Sequence, residues 1–158
     1  MFELVPHVAP PAGAGDFADP FILVTGAQYV AFATNLPGKA NVQVRTSDDL
    51  RTWENAPDAL PALPRWAQMG NTWSPAAIER NGTFALWYVC REPQLGRQAI
   101  SVAVADKPAG PYVDTSVAPA IYQVTEGGSI DPSPFVAPDG QPYLLWKCDA
   151  NALDKPSS

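Results

Sequence analysis

The chain has 158 residues, 46% of them apolar, with five Trp, five Tyr and six Phe, so it can bury a sizeable core and does not have a disordered composition. Its formal net charge is −6, with only ten Lys and Arg and no basic cluster, which argues against nucleic acid and anionic membrane surfaces as partners. No apolar run approaches a membrane span and residues 1–10 lack a secretory pattern, so the expected location is cytoplasmic, or extracellular if a signal has been removed.

In chain order, residues 1–15 read as a Pro-rich N-terminal arm. It holds His7, the only histidine, which is expected to be neither ligand nor catalyst. The first structured segment is Ala18-Asp19-Pro20-Phe21-Ile22-Leu23, followed by the turn Thr25-Gly26 and the apolar strand Tyr29 to Ala33. A third strand follows over Asn41 to Thr46, where Val-Gln-Val-Arg alternates, and a weaker fourth lies near Trp53.

The same order returns. Trp73-Ser74-Pro75-Ala76-Ala77-Ile78 leads to the turn Asn81-Gly82, a strand over Phe84 to Val89, a third over Ala99 to Ala105 and a fourth near Tyr112-Val113. It begins again at Ile130-Asp131-Pro132-Ser133-Pro134-Phe135, with Asp139-Gly140 as the turn and Tyr143 to Trp146 as the strand. The aligned prolines stand at 20, 75 and 132, intervals of 55 and 57 residues. Gly after Asn or Asp supplies the positive φ of a tight hairpin, and Val, Phe, Tyr and Trp at this density favour strand over helix.

Four antiparallel strands per repeat of this length make a propeller blade. A β-sandwich is the alternative, but its strands would not return to one motif at a fixed interval. The expected fold is all-β, a partial five-bladed propeller: blade one over about 16–70, blade two over about 71–125 and an incomplete blade three over about 126–158. Two and a half blades cannot close a ring, so either the chain is a truncation or copies associate as a homo-oligomer to cover the open faces.

In a propeller the innermost strand of each blade lines the central channel. The residues just before the aligned prolines, Asp19, Ser74 and Asp131, are therefore equivalent positions around one ring. Two carboxylates at such positions converge on a common funnel, which suits paired acid–base chemistry. The proline is expected to hold each preceding residue extended. Asp-Pro is also an ordinary turn dipeptide, and the repeat alone leaves both readings open.

Three motifs carry a resemblance to a known family. Asp16-Phe17-Ala18-Asp19-Pro20-Phe21-Ile22-Leu23 resembles the first-blade motif of glycoside hydrolase family 43. Thr72-Trp73-Ser74-Pro75, with Gly82 and Leu86-Trp87-Tyr88, is similar to its second-blade Trp-Ala-Pro motif. Gly127-Gly128-Ser129-Ile130-Asp131-Pro132-Ser133-Pro134-Phe135, leading to Tyr143-Leu144-Leu145-Trp146-Lys147, resembles its third-blade motif and is the most specific of the three. Ala105 to Val113 also matches an outer strand of the family.

The resemblance implies inverting hydrolysis of arabinose- or xylose-containing polysaccharides or oligosaccharides. Asp19 then matches the general base and Asp131 the aspartate that orients the general acid; Trp73 and Ser74 are candidate substrate contacts. The acid is a fourth-blade glutamate, which the repeat places near roughly residue 187, beyond Ser158. Glu79, Glu92 and Glu126 stand at no equivalent position. The competing reading is therefore an inactive half-propeller that binds sugar or assembles. Trp87 and Trp146 are expected in the core, whereas Trp53 and Trp66, in Pro-flanked loops, fit either packing or sugar contact. Cys90 and Cys148 read as free buried thiols, and no cofactor or metal motif is present.

Overall fold

In the computed structural model, the structure describes residues 15–153, Ala27 excepted. The N-terminal arm, with His7, lies outside the described residues but for Gly15. Strands β1 (Phe21–Val24), β2 (Tyr29–Ala33), β3 (Gln43–Ser47) and β4 (Glu54–Ala56) form one antiparallel sheet in sequential order. Strands β5 (Gln68–Arg80), β6 (Thr83–Glu92) and β7 (Arg97–Ala105) form a second, and β8 (Ser129–Val136) with β9 (Pro142–Cys148) a third. No α-helix occurs among the described residues. These are consecutive propeller blades, each a meander of neighbours in sequence.

The hairpin at the end of blade two shows why the turn chemistry matters. Arg80 faces Thr83, and the two residues between them, Asn81 and Gly82, have φ of 53° and 79°. Both central residues of the loop are left-handed, the geometry that matches strand twist and that Asn-Gly tolerates at little cost. The fourth strand expected near Tyr112-Val113 does not form. Only an isolated bridge joins Val113 to Val104, because Pro108 and Pro111 deprive this stretch of the N–H groups a ladder needs.

Blade faces pack on one another through alternating residues. Val30, Phe32 and Val44 of blade one meet Leu86, Tyr88 and Ala103 of blade two, all buried. The Phe32 ring meets Tyr112 edge-on at 6.0 Å. Burying a side chain of this size contributes about 1.5–3 kcal/mol. The opposite face of blade two carries Val89 and Ile100 against Ile130 of blade three. Gly127 and Gly128, with φ of 89° and 118°, bring the chain into blade three so closely that a Cβ would collide with the carbonyl oxygens of Asp149 and Gln98.

Trp87 is half-buried and packs against the second cluster, on the core side of its strand. Trp146 does not. Its ring is 45% exposed, and its indole N–H donates to Gln123 Oε1 at 2.7 Å, which draws it to the rim. Both cysteines are free; Cys90 is buried, which pushes its thiol pKa up, while Cys148 is only half-buried.

Beside this core, Asp114 ties an irregular segment to blade two. Its Oδ2 accepts from Tyr88 Oη at 2.7 Å and Ser101 Oγ at 2.6 Å, and its Oδ1 from the Ser116 N–H at 2.7 Å. Burial pushes the carboxyl pKa up, but the Ser101, Tyr88 and Ser116 hydrogen bonds outweigh it and hold the group below the usual carboxylate range. A pKa lower in the folded than in the unfolded chain stabilises at neutral pH, and that stabilisation is lost as pH falls through the folded value. Asp114→Ala should cost about 1–3 kcal/mol at pH 7, because the Tyr88 hydroxyl is left buried without its acceptor. The gap between wild type and variant in urea melts should narrow as pH drops below about 4.

Candidate active site

The three pre-proline residues come together in one hydrogen-bonded line across three blades. Thr34, just past the end of β2, donates its hydroxyl to Asp19 Oδ2 at 2.8 Å. The same hydroxyl oxygen accepts the Ser74 N–H at 3.4 Å. Ser74 Oγ in turn donates to Asp131 Oδ1 at 3.1 Å, and Lys147 Nζ lies 3.3 Å from Asp131 Oδ2. Each carboxylate is thus held by a hydroxyl from the structure around it. The Lys147 pair is half-exposed and is worth only about 0.2–1 kcal/mol, so it orients more than it stabilises.

The backbone here is not extended. Asp19, Ser74 and Asp131 have φ of 50°, 44° and 55°, the left-handed region that side-chain-bearing residues rarely adopt. Among the described residues only Leu50 and Asn81 share it without being glycine. Proline bars the right-handed α region to the residue before it but leaves the left-handed one reachable at a cost. In blades two and three the ladder also breaks at this point, between Trp73 and Ala76 and between Ile130 and Ser133. Ser74 and Asp131 therefore lie inside strands at bulges, where an extra residue re-aims a side chain, whereas Asp19 stands just before β1. Three outliers at one phase of a repeat mark a constrained feature, since each stores about 1–3 kcal/mol of strain.

Asp19 and Asp131 stand on open surface, both exposed, with Ser74 half-buried between them. Trp73 is 36% exposed on β5, paired with Val89. Two concavities of this surface, of about 210 Å³ and about 660 Å³, contain none of these residues. The three glutamates weighed above are occupied elsewhere. Glu79 accepts the Gly82 N–H in the hairpin, Glu92 accepts the Gln94 and Leu95 N–H groups, and Glu126 lies 3.5 Å from Gln123 Nε2. Among the described residues no three metal-ligating side chains gather.

One family matches nearly the whole chain: residues 8–156 fit the model for glycosyl hydrolases family 43. The chain belongs to that family. It is 31% identical over 152 residues to an extracellular endo-α-(1→5)-L-arabinanase of Thermotoga petrophila, covering 86% of this chain and 30% of the relative. It is 36% identical over 74 residues to xylosidase/arabinosidase 43A of Humicola insolens, covering 47% of this chain and 21% of that protein. The crystal structure of a thermostable family-43 glycoside hydrolase superposes with a TM-score of 0.74 at 25% identity, covering 89% of this chain and 44% of the other. The chain thus spans less than half the length of these family members.

Sequence patterns pointed to Asp19, Ser74 and Asp131 but not to Thr34 or Lys147. Thr34 lies fourteen residues after Pro20, in no fixed relation to a motif, and only the fold brings its hydroxyl to Asp19. Lys147 closes the third-blade motif, so the signal was present there without a role attached. At Ser74, the left-handed backbone reverses the usual strand preference. Ser74→Gly should be more stable than Ser74→Ala by about 1 kcal/mol, whereas Gly is the poorer residue at ordinary strand positions. Thermal or urea melts of the two variants, which both lack the hydroxyl, measure the difference.

Proposed function

We propose that Asp19 and Asp131 are two of the three carboxylates of an inverting glycosidase acting on arabinose- or xylose-containing chains. The line Asp19–Thr34–Ser74–Asp131 is the observation that carries this reading, because it gives the two carboxylates fixed places on one open face. Asp19 is the general base that takes a proton from the attacking water. Asp131 orients the general acid, a family glutamate that has no counterpart at a ring position among the described residues. Trp73 lies beside the ring and offers an indole face to a sugar. The names of the two curated relatives, an arabinanase and a xylosidase/arabinosidase, support the pentose class. They also support hydrolysis over a purely sugar-binding role.

A base without an acid leaves the departing glycosidic oxygen unprotonated, a loss of about 10²–10⁴ in rate. A nitrophenolate leaving group needs little protonation and bypasses much of that loss. This chain alone is therefore expected to release p-nitrophenol slowly from aryl arabinofuranoside or xyloside and no measurable reducing sugar from arabinan. Asp19→Asn should abolish the slow reaction. Hydrolysis that is unchanged in Asp19→Asn would overturn the assignment of the base.

We also propose that a second copy covers the open side of blade three. Leu145 faces Ser133 on β8, the place that Phe32 holds opposite Phe21 in blade one. Phe32 is fully buried by blade two, whereas Leu145 is 62% and Tyr143 51% exposed. With Phe135 stacked on Tyr143, this is an apolar face of the kind that soluble monomers seldom leave bare. Ile22 and Val24, 44% and 68% exposed, present apolar side chains on blade one as a complementary surface. Light scattering at low micromolar concentration should give a mass above the 16.9 kDa monomer, and Leu145→Glu should restore the monomer. A monomer mass for the wild type, with cooperative unfolding, would sink the proposal.

A further inference from the structure

Away from the ring, the concavity of about 660 Å³ is built from two irregular segments, residues 63–66 and 114–117. It is of a size that small ligands occupy. Its one aromatic wall is Trp66, which packs one side against the main core while lining the opening. The Trp66 indole N–H donates to Ser116 Oγ at 3.0 Å, and Ser116 is fastened through its own N–H to Asp114. The ring is therefore held in place before any ligand arrives, which removes an ordering cost from binding.

The polar groups around it are of a particular kind. Arg65 is exposed and makes no hydrogen bond or ion pair among the described residues, so its five donors face solvent. Thr115 offers a further exposed hydroxyl. Asp114 carries negative charge into the floor, with its oxygens already engaged by Tyr88, Ser101 and Ser116. A carboxylate in the floor and a net charge of −6 disfavour an anionic ligand. A rigid aromatic face flanked by donors and a hydroxyl suits a neutral polyhydroxylated one, which sets its C–H face on the indole and its hydroxyls on Arg65 and Thr115.

We propose that this concavity is a second carbohydrate-binding site, taking a neutral pentose-based oligosaccharide at the rim of blade two. Its position relative to the ring favours a shared substrate. Tyr88, which anchors Asp114, adjoins Val89, and Val89 pairs with Trp73 next to Ser74. Ser101 faces Tyr88 one strand further out. The site's floor thus lies level with the ring residues along blade two, just beyond β7 and so more than two strand spacings, or about 10 Å, outward from β5. One extended polysaccharide can occupy both places. The pentose class rests on the reading of Asp19 and Asp131 above; the site itself does not.

Amide and indole shifts of the ¹⁵N-labelled chain, titrated separately with arabinotriose and xylotriose, test this. Saturable shifts at residues 63–66 and 114–117, including the Trp66 indole, should persist in Asp19→Asn. The affinity should fall about tenfold in Trp66→Ala. Arg65→Ala, at an exposed position that cannot unfold the core, should weaken binding severalfold. Shifts at Asp19, Ser74 and Asp131 with none at the rim would overturn this site and leave the proposed catalytic reading standing. Shifts at the rim alone would uphold the site and count against that reading. A titration that moves neither set would overturn both.

Discussion

A blade of this protein is a sheet with two apolar faces and no helix to cover either, so each blade depends on its neighbours for burial. Phe32, Val30 and Val44 are buried because Leu86, Tyr88 and Ala103 stand against them. Ile130 is buried because Val89 and Ile100 do the same on the other side. This dependence fixes the order of the sheets, the alternation within each strand and the side of β1 that Phe21 and Leu23 share. It also makes the outermost faces of the array different in kind from the inner ones. The residue type stays apolar there while the burial does not, as Leu145 and Val24 display.

The site follows from a second constraint, imposed on the backbone. Stacking sheets brings three inner strands side by side but leaves their side chains pointing at neighbouring faces. To turn Asp19, Ser74 and Asp131 towards one another, the chain takes positive φ at each and breaks the ladder around two of them. The following proline, buried in blades two and three, stops the residue from relaxing into the right-handed helical region. Strain of this kind persists only where packing around it is firm. The buried clusters on both faces of blade two provide that firmness beside Ser74.

Much of the fold was legible in the residues because its signals are local. Tyr29 to Ala33 forms a strand as read, and Asn81-Gly82 makes the expected tight turn. The fourth strand of blade two was misread because Tyr112 and Val113 have strand propensity, while the prolines nearby remove ladder donors, a competition that propensity does not capture. Trp146 was misread for a related reason. Its apolar mass suggests a core place, but its N–H found Gln123 at the surface. At the ring, the proline suggested extended backbone before it, but all three residues take positive φ; at Ser74 and Asp131 a break in the ladder overrides the local preference. Thr34 was invisible since its role arises from a contact between distant segments.

Gly127 and Gly128 bear on how blade three is carried. Their backbone lies directly against the carbonyls of Gln98 and Asp149, with a bridge from Gly128 to Gln98, and no side chain intervenes. At Gly128 the approach of blade three to blade two is therefore main chain on main chain, beside the side-chain packing of Val89 and Ile100 on Ile130. The backbone contact does not depend on the size of any side chain, whereas the Val89–Ile100–Ile130 contact does. A change at Leu145 or Tyr143, on the exposed outer face of blade three, touches neither of these contacts, so that face can be altered for a new neighbour without disturbing the junction that places Asp131 beside Ser74.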